Sequence, residues 1–224
     1  MKQTFASLFV IAAIAIVSCH KTDVAPQSSA NSTSSEQSIA ITTPDKTMQT
    51  KLTLRAPAGV LSRVDFSRVK FTLITDPELV ADATDKIAPT LATDEGVSGY
   101  FKDASLLPSS AKPALPENAL QVELPAMPNI GSYALSVTSD DAVADVVSGF
   151  FYRSNYHRIR VTNNVAKSII VDFYNYFNGW RYSGFSYQLS NAYAWYQHCT
   201  RTVGAQVTSP NTYNYTVRYV SLCK

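Results

Sequence analysis

Glycine is scarce in this chain of 224 residues, at only 8, and histidine and cysteine are scarcer, at three each. So few glycines leave little material for loops that cradle a phosphate. No Gly-rich nucleotide loop, G-x-S-x-G elbow or HExxH pair occurs. The three histidines, His20, His157 and His198, are scattered, so no metal-ligand set with recognisable spacing forms. Charge is thin as well: 16% of residues are charged, against roughly 25% in an average soluble protein. A net charge of +2 excludes a generally basic nucleic-acid binder, and 46% apolar content excludes a wholly disordered chain. Paired acids occur at Asp94-Glu95 and Asp140-Asp141, where neighbours point apart and read as caps and turns rather than as an acid–base pair. The expectation is a protein that is not an enzyme, with no cofactor and no metal.

The near-neutral total is a cancellation. Residues 1–149 carry 11 basic and 16 acidic side chains, a net of −5, while residues 150–224 carry 8 and 1, a net of +7. The lone acid of that last third is Asp172, and the same stretch holds 18 of the 25 aromatic residues.

A long apolar run occurs only at the start. Lys2 precedes Phe5–Val17, 13 residues too short for a bilayer core, which needs about 20. One positive charge followed by such a run has the layout of a secretory signal peptide. Ile16-Val17-Ser18-Cys19 then resembles the lipobox of bacterial lipoproteins. That resemblance implies cleavage before Cys19, a thioether-linked diacylglyceryl group on its sulfur and an acylated new N-terminus. Two or three acyl chains hold a protein stably where one holds it marginally, at about 0.8 kcal/mol per buried CH₂. An ordinary cleaved signal ending near Ala13-Ile14-Ala15 is the alternative. Residues 1–18 are therefore expected as signal peptide, with the product exported and lipid-anchored to the bacterial cell envelope, at the outer membrane. With Cys19 lipidated, Cys199 and Cys223 remain as a disulfide pair in an oxidising compartment, two free thiols being the alternative.

Residues 19–50 are rich in Ser, Thr, Asn, Gln and Pro and lack aromatics. They are expected to form a flexible tether with a reach of about 30 Å. Residues 51–149 read as a β-sandwich-like domain. Leu52 and Leu54 alternate, as do Val69, Phe71 and Leu73, then Leu120, Val122 and Leu124, then Tyr133, Leu135 and Val137. Asp76-Pro77 opens an expected short helix to Lys86, and Ser139-Asp140-Asp141 an expected helical turn. The string from Leu120 to Asp141, with a turn at Asn129-Ile130-Gly131, resembles the late hairpin of an immunoglobulin-like sandwich. That resemblance implies architecture and no activity.

Residues 150–224 are expected as a second, small, antiparallel, Tyr-rich, disulfide-closed β region, with strands at 158–161, 192–198 and 213–220. Asn178-Gly179 between strand-like runs favours a two-residue hairpin pairing Phe177 with Trp180 and Tyr176 with Arg181. One face then carries Val171, Phe173, Phe177, Trp180 and Tyr182 and reads as core. The other carries Asp172, Tyr174, Tyr176, Arg181, Phe185 and Tyr187. Aromatic faces with a carboxylate and a guanidinium suit sugar rings and their hydroxyl rims, and the local +7 suits anionic partners. Asp172, Tyr174, Tyr176, Arg181 and Tyr187 are thus the candidate ligand residues. The expected function is a lipid-anchored binding module for glycans or anionic envelope components, with no nucleic-acid partner. A structural or assembly lipoprotein, whose aromatic face meets another envelope protein, is the alternative, and an envelope hydrolase stands third.

Overall fold

The computed structural model describes residues 34–74, 91–93, 96–108, 115–125, 132–139, 149–209 and 213–220. The lipobox, the expected helix at 76–86, the turn at 129–131, the acids Asp140 and Asp141, and Cys223 lie outside the described residues.

The described chain is mainly β. Its strands are β1 Ser34–Thr42, β2 Gln49–Pro57, β3 Val69–Ile74, β4 Leu91–Thr93, β5 Gly96–Phe101, β6 Ser105–Leu106, β7 Leu120–Glu123 and β8 Ser132–Ser139. The last third adds β9 Phe150–Arg153, β10 Arg158–Asn163, β11 Ile169–Tyr176, β12 Trp180–Leu189, β13 Ala192–Gln197, β14 Val203–Thr208 and β15 Tyr213–Val220. A 3-10 turn at Leu61–Arg63 is the helical element among the described residues, and no helix there is long and apolar enough to cross a membrane.

Two sheets form. One runs β1-β2-β7-β9-β14-β11-β12-β6 and the other β3-β8-β15-β10-β13-β5-β4. Hydrogen-bonded neighbours are antiparallel except β7 and β9, which are parallel. Each strand offers alternate residues to the space between the sheets, as the period of two in the sequence requires. Leu52, Leu54, Leu73, Leu135, Val137 and Val161 are all buried to zero exposure in one core cluster that draws on both sheets. Phe173 of the first sheet stacks on Tyr196 of the second, with centroids 5.8 Å apart.

The strand order accounts for the uneven composition. The last third supplies the middle of both sheets, β9-β14-β11-β12 in one and β15-β10-β13 in the other, flanked on each side by strands from before residue 149. Central strands are paired along both edges and covered on their faces, so they collect the aromatic residues and hold a single acid, Asp172, while Arg158, Arg160 and Arg218 lie within β10 and β15. Residues Ser32–Lys224 accordingly form one compact unit, and the expected division near Gly149 is a passage from rim to centre rather than a domain boundary. Seven tyrosines, Tyr133, Tyr152, Tyr187, Tyr196, Tyr213, Tyr215 and Tyr219, are fully buried in the core. The Tyr152 and Tyr215 hydroxyls meet at 2.5 Å, and burial pushes both phenols well above the usual tyrosine range.

Two further expectations change. Residues 34–50 belong to the fold: β1 pairs with β2 along nine residues, and Ile41 is buried against the core. The alternation of Ile39 and Ile41 inside a polar stretch is too short to register in its average composition. The turn at 43–48 is fixed by Asp45, which accepts from the Thr43 hydroxyl and the Thr47 amide. These donors hold its carboxyl below the usual range. The second change concerns 120–137. β7 and β8 are not hairpin partners; they lie in different sheets, so the chain between them crosses from one sheet to the other.

Candidate binding surface at the β11–β12 hairpin

The hairpin closes one residue away from the expected register. Tyr176, not Phe177, stands opposite Trp180, leaving a three-residue loop, Phe177–Gly179. Asn178 and Gly179 both have positive φ, 52° and 122°, which is why this dipeptide turns the chain here. A bulge follows. Asp172 pairs with Ser186 and Tyr174 with Tyr182, so Ser183, Gly184 and Phe185 all face Phe173. Gly184 takes φ 89°, and the Ser183 hydroxyl donates to the Phe173 carbonyl at 2.8 Å.

The one-residue slip reassigns the faces, and the bulge, a shift of two, preserves them. Val171, Phe173, Phe185 and Tyr187 point into the core, whereas Phe177, expected there, is 48% exposed. The Tyr187 ring lies 6.1 Å from Phe173 and 5.8 Å from Tyr100, and its hydroxyl meets the Ser98 hydroxyl at 2.7 Å. Burial raises its phenol, and Ser98 partly offsets that. Tyr187 is a core residue and leaves the candidate set.

On the outer face, Tyr174 is also fully buried, edge-on to Phe151 at 5.7 Å and to Tyr182 at 5.9 Å, with Ala119 in the same small cluster. Burial first, then the nearby Asp172 charge, holds its phenol far up. Asp172 is 4% exposed; it accepts from the Ser186 hydroxyl, which in turn meets the Tyr182 hydroxyl at 2.6 Å. A carboxylate held so is part of the sheet rather than an open ligand for a sugar.

Two of the five candidates therefore remain on an open surface. Tyr176 is 50% exposed, and Arg181, opposite Asn175 rather than Tyr176, projects at the hairpin end. The structure adds three residues to them. Trp180 meets Tyr176 edge to face with centroids 5.4 Å apart. Phe177 has the Arg181 guanidinium 5.4 Å from its ring centre and that of Arg201, from the β13–β14 loop, at 4.8 Å. Arg201 is fixed in place by donating to Asn175 Oδ1 at 3.3 Å, and its carbonyl lies 3.1 Å from His157 Nδ1. The result is one half-exposed ring, Phe177, flanked by two guanidiniums, with Tyr176 half-exposed beside Trp180 on the alternate face of the hairpin. It can stack an apolar face and hold an anion beside it. Phe177 had a signal in the sequence, because the residue beside Asn-Gly lies at the tip in either register. Arg201 had none, since its partner ring is 24 residues away (201 − 177).

A second set of cation–aromatic contacts lies on the other sheet. The Arg158 guanidinium sits 4.1 Å from the Trp195 ring centre, and that of Arg160 sits 3.6 Å from Tyr193. All four side chains are buried, so this set braces the sheet. Among the described residues no group of three His, Cys, Asp or Glu is placed to hold a metal ion.

No protein-family model, curated protein or solved structure matches this chain.

Proposed function

We propose that this is an exported, lipid-anchored cell-envelope protein, held at the outer membrane through Cys19, that works as a non-enzymatic binding module for glycans or anionic envelope components. The observation that carries the reading is Phe177, half-exposed at the hairpin tip between the Arg181 and Arg201 guanidiniums, with the half-exposed Tyr176 next to it in the chain. Large apolar rings are costly to leave in water, and rings bordered by planar cations suit a ligand with both an apolar face and a negative or hydroxylated rim. The anchor rests on the lipobox-like Ile16-Val17-Ser18-Cys19. With that cysteine acylated, Cys199 and Cys223 are left to close a loop near the end of the chain.

A structural or assembly lipoprotein is the second reading. It is favoured by the number of tyrosines that the core absorbs, Tyr174 and Tyr187 among them.

A glycan array probed with the full-length Cys19→Ser chain separates the two. The binding module should retain one or more glycans, and Tyr176→Ala should weaken that retention. No retention across neutral and acidic glycans would leave the structural reading. For the anchor, Cys19→Ser should move the protein from the membrane to the soluble fraction; unchanged fractionation refutes acylation.

A further inference from the structure

Asn178-Gly179 is the one Asn-Gly pair of the chain, and the fold sets it in the three-residue loop that closes β11 and β12. Asparagine is a heat-labile residue, one that proteins of thermophiles carry less of. Its weakness is attack on the side-chain amide carbon by the backbone nitrogen of the next residue. A glycine there has no Cβ to obstruct the ring that forms. The reaction needs a free amide, a free glycine nitrogen and room for the loop to turn. Asn178 is exposed, and its side chain makes no hydrogen bond among the described residues. The Gly179 carbonyl accepts from the Phe177 amide at 2.9 Å, while the Gly179 N–H donates to nothing among the described residues. Nothing lies within 4 Å of the missing Gly179 Cβ, so ring closure displaces no neighbour.

Other asparagines lack one or more of these conditions. Asn191 is exposed and also has positive φ, 48°, but the residue after it is Ala192, buried in β13 opposite Asn163. Asn118 is exposed, but the Ala119 amide after it donates to the Pro116 carbonyl at 3.0 Å. Asn175 is buried, with its side chain on the Tyr196 hydroxyl and the Arg201 guanidinium.

We propose that Asn178 is a site of spontaneous deamidation, which gives the hairpin tip a carboxylate of its own. The Gly179 nitrogen bonds to Asn178 Cγ, the Cγ–N bond of the side chain breaks, and ammonia leaves with the proton from the Gly179 amide. Water then opens the cyclic imide at either carbonyl. One opening leaves aspartate in the normal chain; the other leaves isoaspartate, whose backbone runs through the side-chain carbon. Either product is ionised at neutral pH. Residues 176–181 contain no acid beforehand. Afterwards a negative charge stands one residue from Phe177, whose ring the Arg181 and Arg201 guanidiniums approach at 5.4 and 4.8 Å. The isoaspartyl loop is also longer by one backbone atom, which loosens the Tyr176–Trp180 pairing. This modification is independent of whether the tip binds a glycan.

The test ages the full-length Cys19→Ser chain in buffers of rising pH and follows the tryptic peptide 168–181 by mass spectrometry, with isoaspartate counted by enzymatic methylation. Deamidation should appear at Asn178 ahead of Asn191 and Asn118. Its rate should rise about tenfold per pH unit, because the attacking species is the deprotonated amide. The aged protein should leave a cation exchanger earlier than the fresh one. Gly179→Ala should slow the reaction, and Asn178→Gly, which keeps the turn, should hold the mass of the peptide constant. A synthetic peptide of residues 168–181 supplies the rate without the fold. Asn178 intact in the folded protein while that peptide reacts would mean that the fold protects the pair, and the proposal fails. It fails equally if Asn191 or Asn118 reacts as fast as Asn178, or if the rate is indifferent to pH.

Discussion

Tyr176 faces Trp180 across the β11–β12 hairpin, with ring centroids 5.4 Å apart and planes at 74°. That pairing makes the loop three residues long and pushes Phe177 out to the tip, where the two arginines reach it. Everything open on this surface depends on it.

The tip register should therefore be sensitive to Gly179 and tolerant at Asn178. Gly179 sits at φ 122°, a region closed to L side chains, although nothing crowds its missing Cβ. Gly179→Ala should cost about 1–3 kcal/mol through backbone strain alone. Asn178→Gly, at φ 52°, should be close to neutral. Urea midpoints check both, and equal effects would contradict the loop geometry.

The polar chain under the outer face gives a second prediction. Ser186 stands between Asp172 and Tyr182, donating to the carboxylate while its oxygen meets the phenol at 2.6 Å. Ser186→Ala removes a donor from a carboxylate that is 4% exposed, and should destabilise the protein by about 1–3 kcal/mol. Glycan retention on the array should be unchanged, because Asp172 is not part of the tip. A variant as stable as the parent would mean that Asp172 is served fully by other partners.

The alternating strands were legible in the sequence because a period of two survives any connectivity: β2, β3, β8, β10, β13 and β15 fall where Leu52, Phe71, Leu135, Val161, Ala194 and Val217 put them. What could not be read is how strands distant in sequence interleave. An acid-poor, aromatic stretch of 75 residues (224 − 149) looks like a separate domain unless one knows that it fills the middle of two sheets. Burial of Tyr187 and exposure of Phe177 turn on the three-residue loop, a slip of one residue that exchanges faces, while the bulge at Gly184 shifts the pairing by two and keeps the alternation. Arg201 reaches the site through the β13–β14 loop, a neighbour relation no local pattern encodes.

Alkaline stability follows from the buried phenols. Burial raises the Tyr152, Tyr215 and Tyr219 hydroxyls well above the ordinary value of 10.0, and Tyr213 to about 12. In the unfolded chain these groups lose their protons near pH 10, while in the fold they keep them. Their contribution is thus fully present below about pH 10 and is lost as pH rises toward the folded values, at up to about 1.4 kcal/mol per pH unit for each group. The protein should unfold cooperatively in alkali, with the phenolate absorbance of the buried set appearing together with the loss of circular dichroism. Gradual ionisation of every tyrosine before any unfolding would show that the core phenols are open to water.

Closure of the C-terminal region supplies the last prediction. The proposed Cys199–Cys223 bond would enclose a loop of 24 residues (223 − 199) that contains β14 and β15. Both strands are central: β14 lies between β9 and β11, and β15 between β8 and β10. Cross-linking a loop of this size restricts the unfolded chain by about 3 kcal/mol. The full-length Cys19→Ser protein, unfolded without reductant, should therefore show no titratable thiol, and reduction should expose two. Cys223→Ser in that background should lower the urea midpoint by the equivalent of about 3 kcal/mol, and added reductant should then have no further effect. Free thiols in the oxidised protein would eliminate the bridge. They would leave the strand order, which rests on backbone pairing, untouched.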